Sequence, residues 1–306
     1  SGGEYCYLTR AFGRFTGFMF GWSQLTVVRT GSVGMMSFIF AEYAAKLWHL
    51  GPTETIALAI AAPLTFSGLN ILGVVIGTRT QNALTLLKLI GFGSIIFAGL
   101  AFGNGAPPIA SVSPSSAPEV SLGLAMLFVL FSYGGWNDAT LITAEIRDSR
   151  KNIVRSLIIG VAIVTGVYLL VNAAYLKALG YDAARQSTGI AADVLRLAFG
   201  PSGAKIMSII VMISALGAIN GIIFTGARIY ATMGEDHRFF AWLSRWHPRL
   251  GTPIWSLLTE STITVALILI LGTETGRGLI DGTLSILGLE AIAWNDRPFN
   301  NLFQWC

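Results

Sequence analysis

Charge is scarce in this sequence: Asp, Glu, Lys and Arg make up only 12% of its 306 residues, against roughly a quarter in an average soluble domain. Histidine and cysteine are scarcer still. Cys6 and Cys306 lie at opposite ends and offer neither a disulfide framework nor CxxC or metal-ligand spacing. His49, His237 and His247 all fall in predicted loops, so neither a metal site nor a His-based nucleophile is supported. Glycine pairs without a strand-helix context do not make a phosphate loop. The expectation is therefore no enzyme, no metal and no cofactor. The net charge of +4 does not point to nucleic acid either, because the Lys and Arg residues sit in short loops between apolar runs. There they read as topology signals.

What fills the sequence is apolar: 53% hydrophobic residues and 35 glycines. Windows of about 20 apolar residues, enough to cross roughly 30 Å of hydrocarbon as a helix, occur at 15–43, 56–76, 83–103, 122–142, 153–176, 206–230 and 253–271. Buried helices of a soluble enzyme would carry charged faces on some of these. Glycine at this level fits tightly packed membrane helices. The expected fold class is an all-α membrane protein, a multi-span helix bundle forming one transmembrane domain over 1–306. With the N-terminal end cytoplasmic, more Lys and Arg fall inside (Arg10, Arg14, Arg79, Arg147, Arg150, Lys151, Arg155, Arg238, Arg245 and Arg249) than outside (Lys46, Lys177, Arg185, Arg196, Lys205 and Arg277). The stretch from Asn104 to Glu119 has no Lys or Arg and suits the outer side. Thr188 to Phe199 reads as an amphipathic interfacial helix, and Leu279 to Cys306 as a surface or interfacial stretch. The chain opens on Ser1 without a signal-peptide pattern and reads as a fragment.

Three features inside the apolar windows need a reason. FSYGGWND, Phe131 to Asp138, interrupts the fourth window. Each glycine weakens a helix by about 1 kcal/mol relative to Ala, and freed backbone at membrane depth must be buried in protein or line a wet cavity. Such interruptions mark transporter binding sites, although close helix packing on Gly134 and Gly135 is a second explanation. Lys88 lies inside the third window, where an ammonium costs about 2.5 to 3.5 kcal/mol on insertion scales, and Arg29 poses the same problem in the first window, with Ser32 one turn onward. Partners or a function are expected for both. Glu42 and Lys46, spaced i, i+4 near the outer end, read as a surface pair.

These residues carry a family resemblance. SGGEYCYLTRAFG, then GFMFGW and FAEY, resemble the start and end of the third transmembrane helix of amino-acid permeases of the amino acid/polyamine/organocation (APC) superfamily. NILGVVIGTRTQNALTLLK resembles the fourth-to-fifth helix passage, and LFSYGGWNDATLITAEIRDSRKNI the sixth helix with its cytoplasmic exit. SALGAINGIIFTGARIYATMGEDHRFFAWLSRWHPRLGTP is similar to the eighth helix and following loop, particularly in L-type amino-acid transporters. The matches cover about residues 1 to 265.

The resemblance implies part of a LeuT-like inverted-repeat transporter fold, two repeats of five helices, with a broken helix near 131–138 and substrate held where the first and sixth helices unwind. This chain would hold the third to ninth helices and lack the first and tenth. By position, Phe131 matches the aromatic gate over the substrate, and Ser132, Tyr133, Gly134 and Gly135 the unwound backbone that meets the substrate ammonium. Asn137 matches a polar side chain facing the same pocket, and Ser32 falls near a pocket-lining position. Lys88 matches a lysine standing about where sodium binds in sodium-coupled relatives, with Ser214 as a neighbour. L-type light chains pair with a glycoprotein through a cysteine between the third and fourth helices, but Leu47 to Thr55 contains none, so no disulfide-linked heavy chain is expected.

The implied function is secondary active transport of amino acids, neutral L-amino acids in the first place, by alternating access across the plasma or inner membrane. The implied partners are the amino-acid substrate and the lipid bilayer, with no nucleic acid. A non-transporting nutrient sensor on the same scaffold is the alternative. A membrane-embedded enzyme lacks its catalytic constellation.

Overall fold

The computed structural model describes residues 2–103, 122–145, 148–187, 189–286 and the later residues 288, 289, 292 and 294. Among these, regular structure is helical throughout. The chain divides into two compact units, Ser1–Lys88 with Ser208–Cys306, and Leu89–Met207.

In the first unit a short helix α1 (Glu4–Phe12) leads into α2 (Arg14–Ser23) through Gly13, whose φ of 93° suits a residue without Cβ. A single π-helical turn, Gln24–Val28, then joins α2 to α3 (Arg29–Trp48). The 15–43 window is thus one helical run with a wide turn in it, a form common at functional sites. Helix α3 ends where His49 adopts the left-handed conformation. Helix α4 (Pro52–Ile71) starts with proline in its first turn and with the Glu54 carboxylate accepting the Gly51 N–H at 2.8 Å, which satisfies a donor that the helix cannot. The unit is completed by α10 (Ile254–Gly272), α11 (Glu274–Ile286) and parts of α5 (Val74–Phe102) and α9 (Ser202–Asp236).

Val33, Phe66, Ile219, Ile223 and Leu257 form one buried cluster among α3, α4, α9 and α10. Phe38, Ala41, Ala59, Ile268 and Leu271 form a second among α3, α4 and α10. Several polar side chains inside the unit are bonded to each other. Asn220 on α9 accepts from Asn70 on α4 at 2.9 Å and donates to Gln81 on α5 at 2.8 Å; Ser261 on α10 donates to Ser67 on α4. Tyr5 is fully buried and donates to Asp236 at 2.9 Å. Burial, with the Asp236 carboxylate beside it, pushes the Tyr5 phenol above its usual range.

The second unit holds α6 (Leu122–Ser132), a 3-10 helix (Trp136–Glu145), α7 (Ser149–Gln186) and α8 (Ile190–Phe199). Helix α7 is two helices in effect, parted at Gly180 with φ 74°. Helix α5 meets α7 through small residues: a Cβ on Gly99 would stand 2.6 Å from the Ala174 carbonyl oxygen, and one on Gly103 2.8 Å from Ala178 Cα. Two small residues four apart on each helix let the backbones touch. Lys177 on α7 donates to the Leu100 carbonyl at 2.6 Å.

Among the described residues, five helices are long and apolar enough to cross a membrane: Pro52–Ile71, Val74–Phe102, Lys151–Arg185, Ser202–Asp236 and Ile254–Gly272. The 122–142 window is instead split between α6 and the 3-10 helix, the broken helix expected near 131–138. Helix α11 follows α10 after Thr273 alone and leaves Leu279 and Ile286 exposed. One expectation needs correction. Glu42 and Lys46 form no ion pair, and the Lys46 ammonium lies 4.6 Å from the Tyr43 ring centroid, a cation-π contact. The stretch from Asn104 to Glu119 and most of the chain after Ile286 fall outside the described residues.

The Gly99–Ala174 contact generates a first prediction. Gly99→Leu forces α5 and α7 apart, and in the full-length protein it lowers the thermal midpoint in detergent by several degrees, a loss of about 1 to 3 kcal/mol for overpacking. Fluorescence-detected chromatography after heating measures it; an unchanged midpoint contradicts the close contact.

Candidate functional site

Helix α6 runs through apolar residues until Tyr133, whose N–H is shared between the Val129 and Leu130 carbonyls at 3.2 Å each. The chain then turns through Tyr133 to Gly135 and re-enters a helix of tighter pitch, with Asp138 N–H bonded to the Gly135 carbonyl at 3.1 Å. Gly135 has φ 85°, and a Cβ built on it meets nothing within 4 Å. Backbone conformation therefore explains this glycine, and helix contact does not.

Helix α7 holds the interruption from one side. Tyr168 donates its hydroxyl to the Ser132 carbonyl at 3.0 Å, so one carbonyl beyond the regular part of α6 is bonded. Tyr133 donates to Thr165 at 3.2 Å, and the Tyr133 and Tyr168 rings meet edge to face with centroids 5.4 Å apart. The break opens a cavity of about 410 Å³ whose lining includes Ser132, Tyr133, Gly134, Gly135, Trp136 and, from α7, Gly160 and Tyr168. No described lining residue is Asp, Glu, Lys or Arg. Hydroxyls, glycine backbone and aromatic rings make a site that can enclose a small molecule with a few polar groups and an apolar body.

Of the residues singled out in the sequence, Ser132, Tyr133, Gly134 and Gly135 thus share one cavity. The side chains of Phe131 and Asn137 lie outside the described part. Ser32, Lys88 and Ser214 belong to the other compact unit. The Ser32 hydroxyl is turned back on its own helix, donating to the Val28 carbonyl at 2.6 Å. Lys88 is half-buried on α5, and its ammonium faces α9 at Gly217, 3.8 Å from where a Cβ would be. Gly217 lies one turn after Ser214, but among the described residues no hydrogen bond joins Ser214 to Lys88. Arg29 has the partner its depth demands: it is 8% exposed and its guanidinium donates to Thr225 Oγ1 at 2.7 Å.

Two buried charged residues were missed, Arg228 on α9, 3% exposed, and Glu260 on α10. Glu260 is fully buried on α10, near Tyr230 of α9. The signal existed in the sequence, since Glu260 is the single charged residue in the 253–271 window, and the rule that marked Lys88 and Arg29 marks it equally.

The chain is similar to several known proteins. The mouse b(0,+)-type amino acid transporter 1 is 30% identical over 276 residues, covering 88% of this chain and 56% of that protein. The serine/threonine exchanger SteT of Bacillus subtilis is 31% identical over 277 residues, 89% of this chain and 62% of the exchanger. The human Asc-type amino acid transporter 1 is 30% identical over 318 residues, 97% of this chain and 60% of that transporter. The chain therefore spans somewhat more than half the length of these relatives. The family described as "Amino acid permease" matches residues 1–295. With five helices able to cross a bilayer and a family match over nearly its whole length, this chain is a multi-pass membrane protein belonging to the amino acid permease family of the APC superfamily.

Proposed function

We propose that the protein containing this chain carries neutral L-amino acids across the plasma or inner membrane by alternating access. The observation that supports this most directly is the interruption of α6 at Tyr133–Gly135, opening on a cavity of about 410 Å³ with no charged residue in its described lining, in a chain of the permease family. Ser132, Tyr133, Gly134 and Gly135 would present backbone groups to the substrate ammonium, and Phe131, Asn137 and Ser32 are proposed as further substrate-binding residues on the family resemblance alone. An uncharged lining favours a substrate whose side chain is uncharged, since a cationic one would be buried without a counter-ion. The similarity to a protein named a serine/threonine exchanger fits the same class. The seven windows are proposed as the spans of one transmembrane domain, and without a cysteine in Leu47 to Thr55 no disulfide-linked heavy chain is needed.

Lys88 and Ser214 are proposed as the occupants of the position where sodium-coupled relatives bind their ion. An ammonium at this depth takes up the charge that a sodium ion would otherwise supply, so one cation excludes the other.

Three outcomes follow for the full-length protein in proteoliposomes. Leucine, alanine and phenylalanine compete with labelled substrate more strongly than arginine or lysine; the reverse order contradicts the neutral class. Gly135→Leu abolishes uptake while membrane insertion persists, because a side chain is strained at φ 85° and crowds the cavity; normal uptake by this variant removes the site from the cavity. Replacing sodium with choline leaves wild-type uptake intact and Lys88→Ala impairs it, so strong sodium dependence, or an unaffected variant, rules out the assignment of Lys88.

A further inference from the structure

Glu260 sits in the middle of α10 with no exposed surface, and among the described residues neither carboxyl oxygen has a hydrogen-bond partner. Gly226 on α9 provides the room: a Cβ there would stand 2.7 Å from Glu260 Oε1 and 3.1 Å from the Tyr230 hydroxyl. The titratable groups that act on Glu260 are Arg29 from α3 and Tyr230 from α9. Helix α4 meets this stretch of α10 through Ser67, already bonded to Ser261.

Each of those groups makes a hydrogen bond elsewhere. The Arg29 guanidinium donates to Thr225 at 2.7 Å, and the Tyr230 hydroxyl donates to the Gln24 carbonyl at 3.2 Å. Gln24 begins the π-turn and Arg29 is the first residue after it. A carboxylate has about four acceptor positions, and a buried charge is tolerated only when paired and hydrogen-bonded. The arrangement seen here supplies no donor to either oxygen and suits the neutral acid.

We propose that Glu260 is a proton-binding site, occupied in this conformation, whose release of the proton is linked to the π-turn between α2 and α3. On ionisation the carboxyl O–H bond breaks and the proton passes to water. The carboxylate then draws the Arg29 guanidinium from Thr225 or the Tyr230 hydroxyl from Gln24. Either exchange removes a contact made at an end of the wide turn, so the state of one proton and the shape of the α2–α3 helix change together. A buried acid inside a membrane bundle marks a functional site by default. The proton site does not depend on the transport reading; only its effect on uptake does.

Infrared spectroscopy of the purified full-length protein at neutral pH tests it. The wild type should show the carbonyl stretch of a protonated carboxylic acid that shifts in heavy water and is missing in Glu260→Gln. Glutamine has the shape of the neutral acid, so this variant should fold with the wild-type thermal midpoint, whereas Glu260→Ala leaves a cavity and lowers it. An identical carbonyl band in wild type and Glu260→Gln overturns the proposal, and so does a Glu260→Gln protein that fails to fold, since that is the result expected of a charged and paired Glu260. In proteoliposomes the pH dependence of uptake should flatten in Glu260→Gln. Absence of any wild-type uptake would count against the permease reading, while the infrared band would still decide the proton site.

Discussion

A helix bundle in hydrocarbon has no water with which to satisfy a polar side chain, so each one inside must find its partner on another helix or on its own. Asn220 shows how much depends on this. Its amide meets Asn70 on α4 and Gln81 on α5 at once, and it also donates to the Gly77 carbonyl at 3.3 Å. Three helices are thereby fixed in register at a single residue with no exposed surface. Apolar packing of Ile219 and Ile223 on either side of it is much less particular about register, because lipid tails are as apolar as leucine and isoleucine. Directional bonds choose among the many packings that the apolar faces permit.

Where that requirement is relaxed, the molecule has room for function. At Gly135 the backbone leaves the helix, and a tyrosine from α7 takes over one carbonyl while a cavity opens beside the rest. At Glu260 a carboxyl stands without a donor because its natural partners hold a π-turn in place. The two sites are different answers to one problem. The first uses the freedom of glycine to present backbone groups, and the second uses a side chain whose charge can be removed.

The parts of this architecture that follow from composition and local chemistry were legible in the sequence. Long apolar windows yield helices, and the Ser132-Tyr133-Gly134-Gly135 run ends one, because glycine carries an intrinsic cost that the surrounding helix cannot offset. Parts that depend on what lies across a helix interface were not. Arg29 announced itself as a buried cation, but nothing in the spacing pointed to Thr225, 196 positions away. Lys46 had a plausible acid at i−4 and chose the ring of Tyr43 instead. The π-turn at Gln24–Val28 left no compositional mark, as its residues are ordinary for an apolar helix. For Ser32 the helical spacing was right, yet its hydroxyl was drawn to the nearest carbonyl on its own helix, as serine commonly is.

The bond between Tyr5 and Asp236 has a consequence for the order in which the protein is made. The two residues are 231 positions apart in the chain, and at roughly 5 to 20 residues per second of synthesis the tyrosine waits on the order of tens of seconds for its acceptor to emerge. During that interval the Tyr5 ring has Gly21 of α2 beside it but its hydroxyl has no Asp236 to bond. Completion of α9 is therefore the event that fastens α1, and a ribosome stalled before it would leave an assembled set of helices with the Tyr5 hydroxyl still without its acceptor.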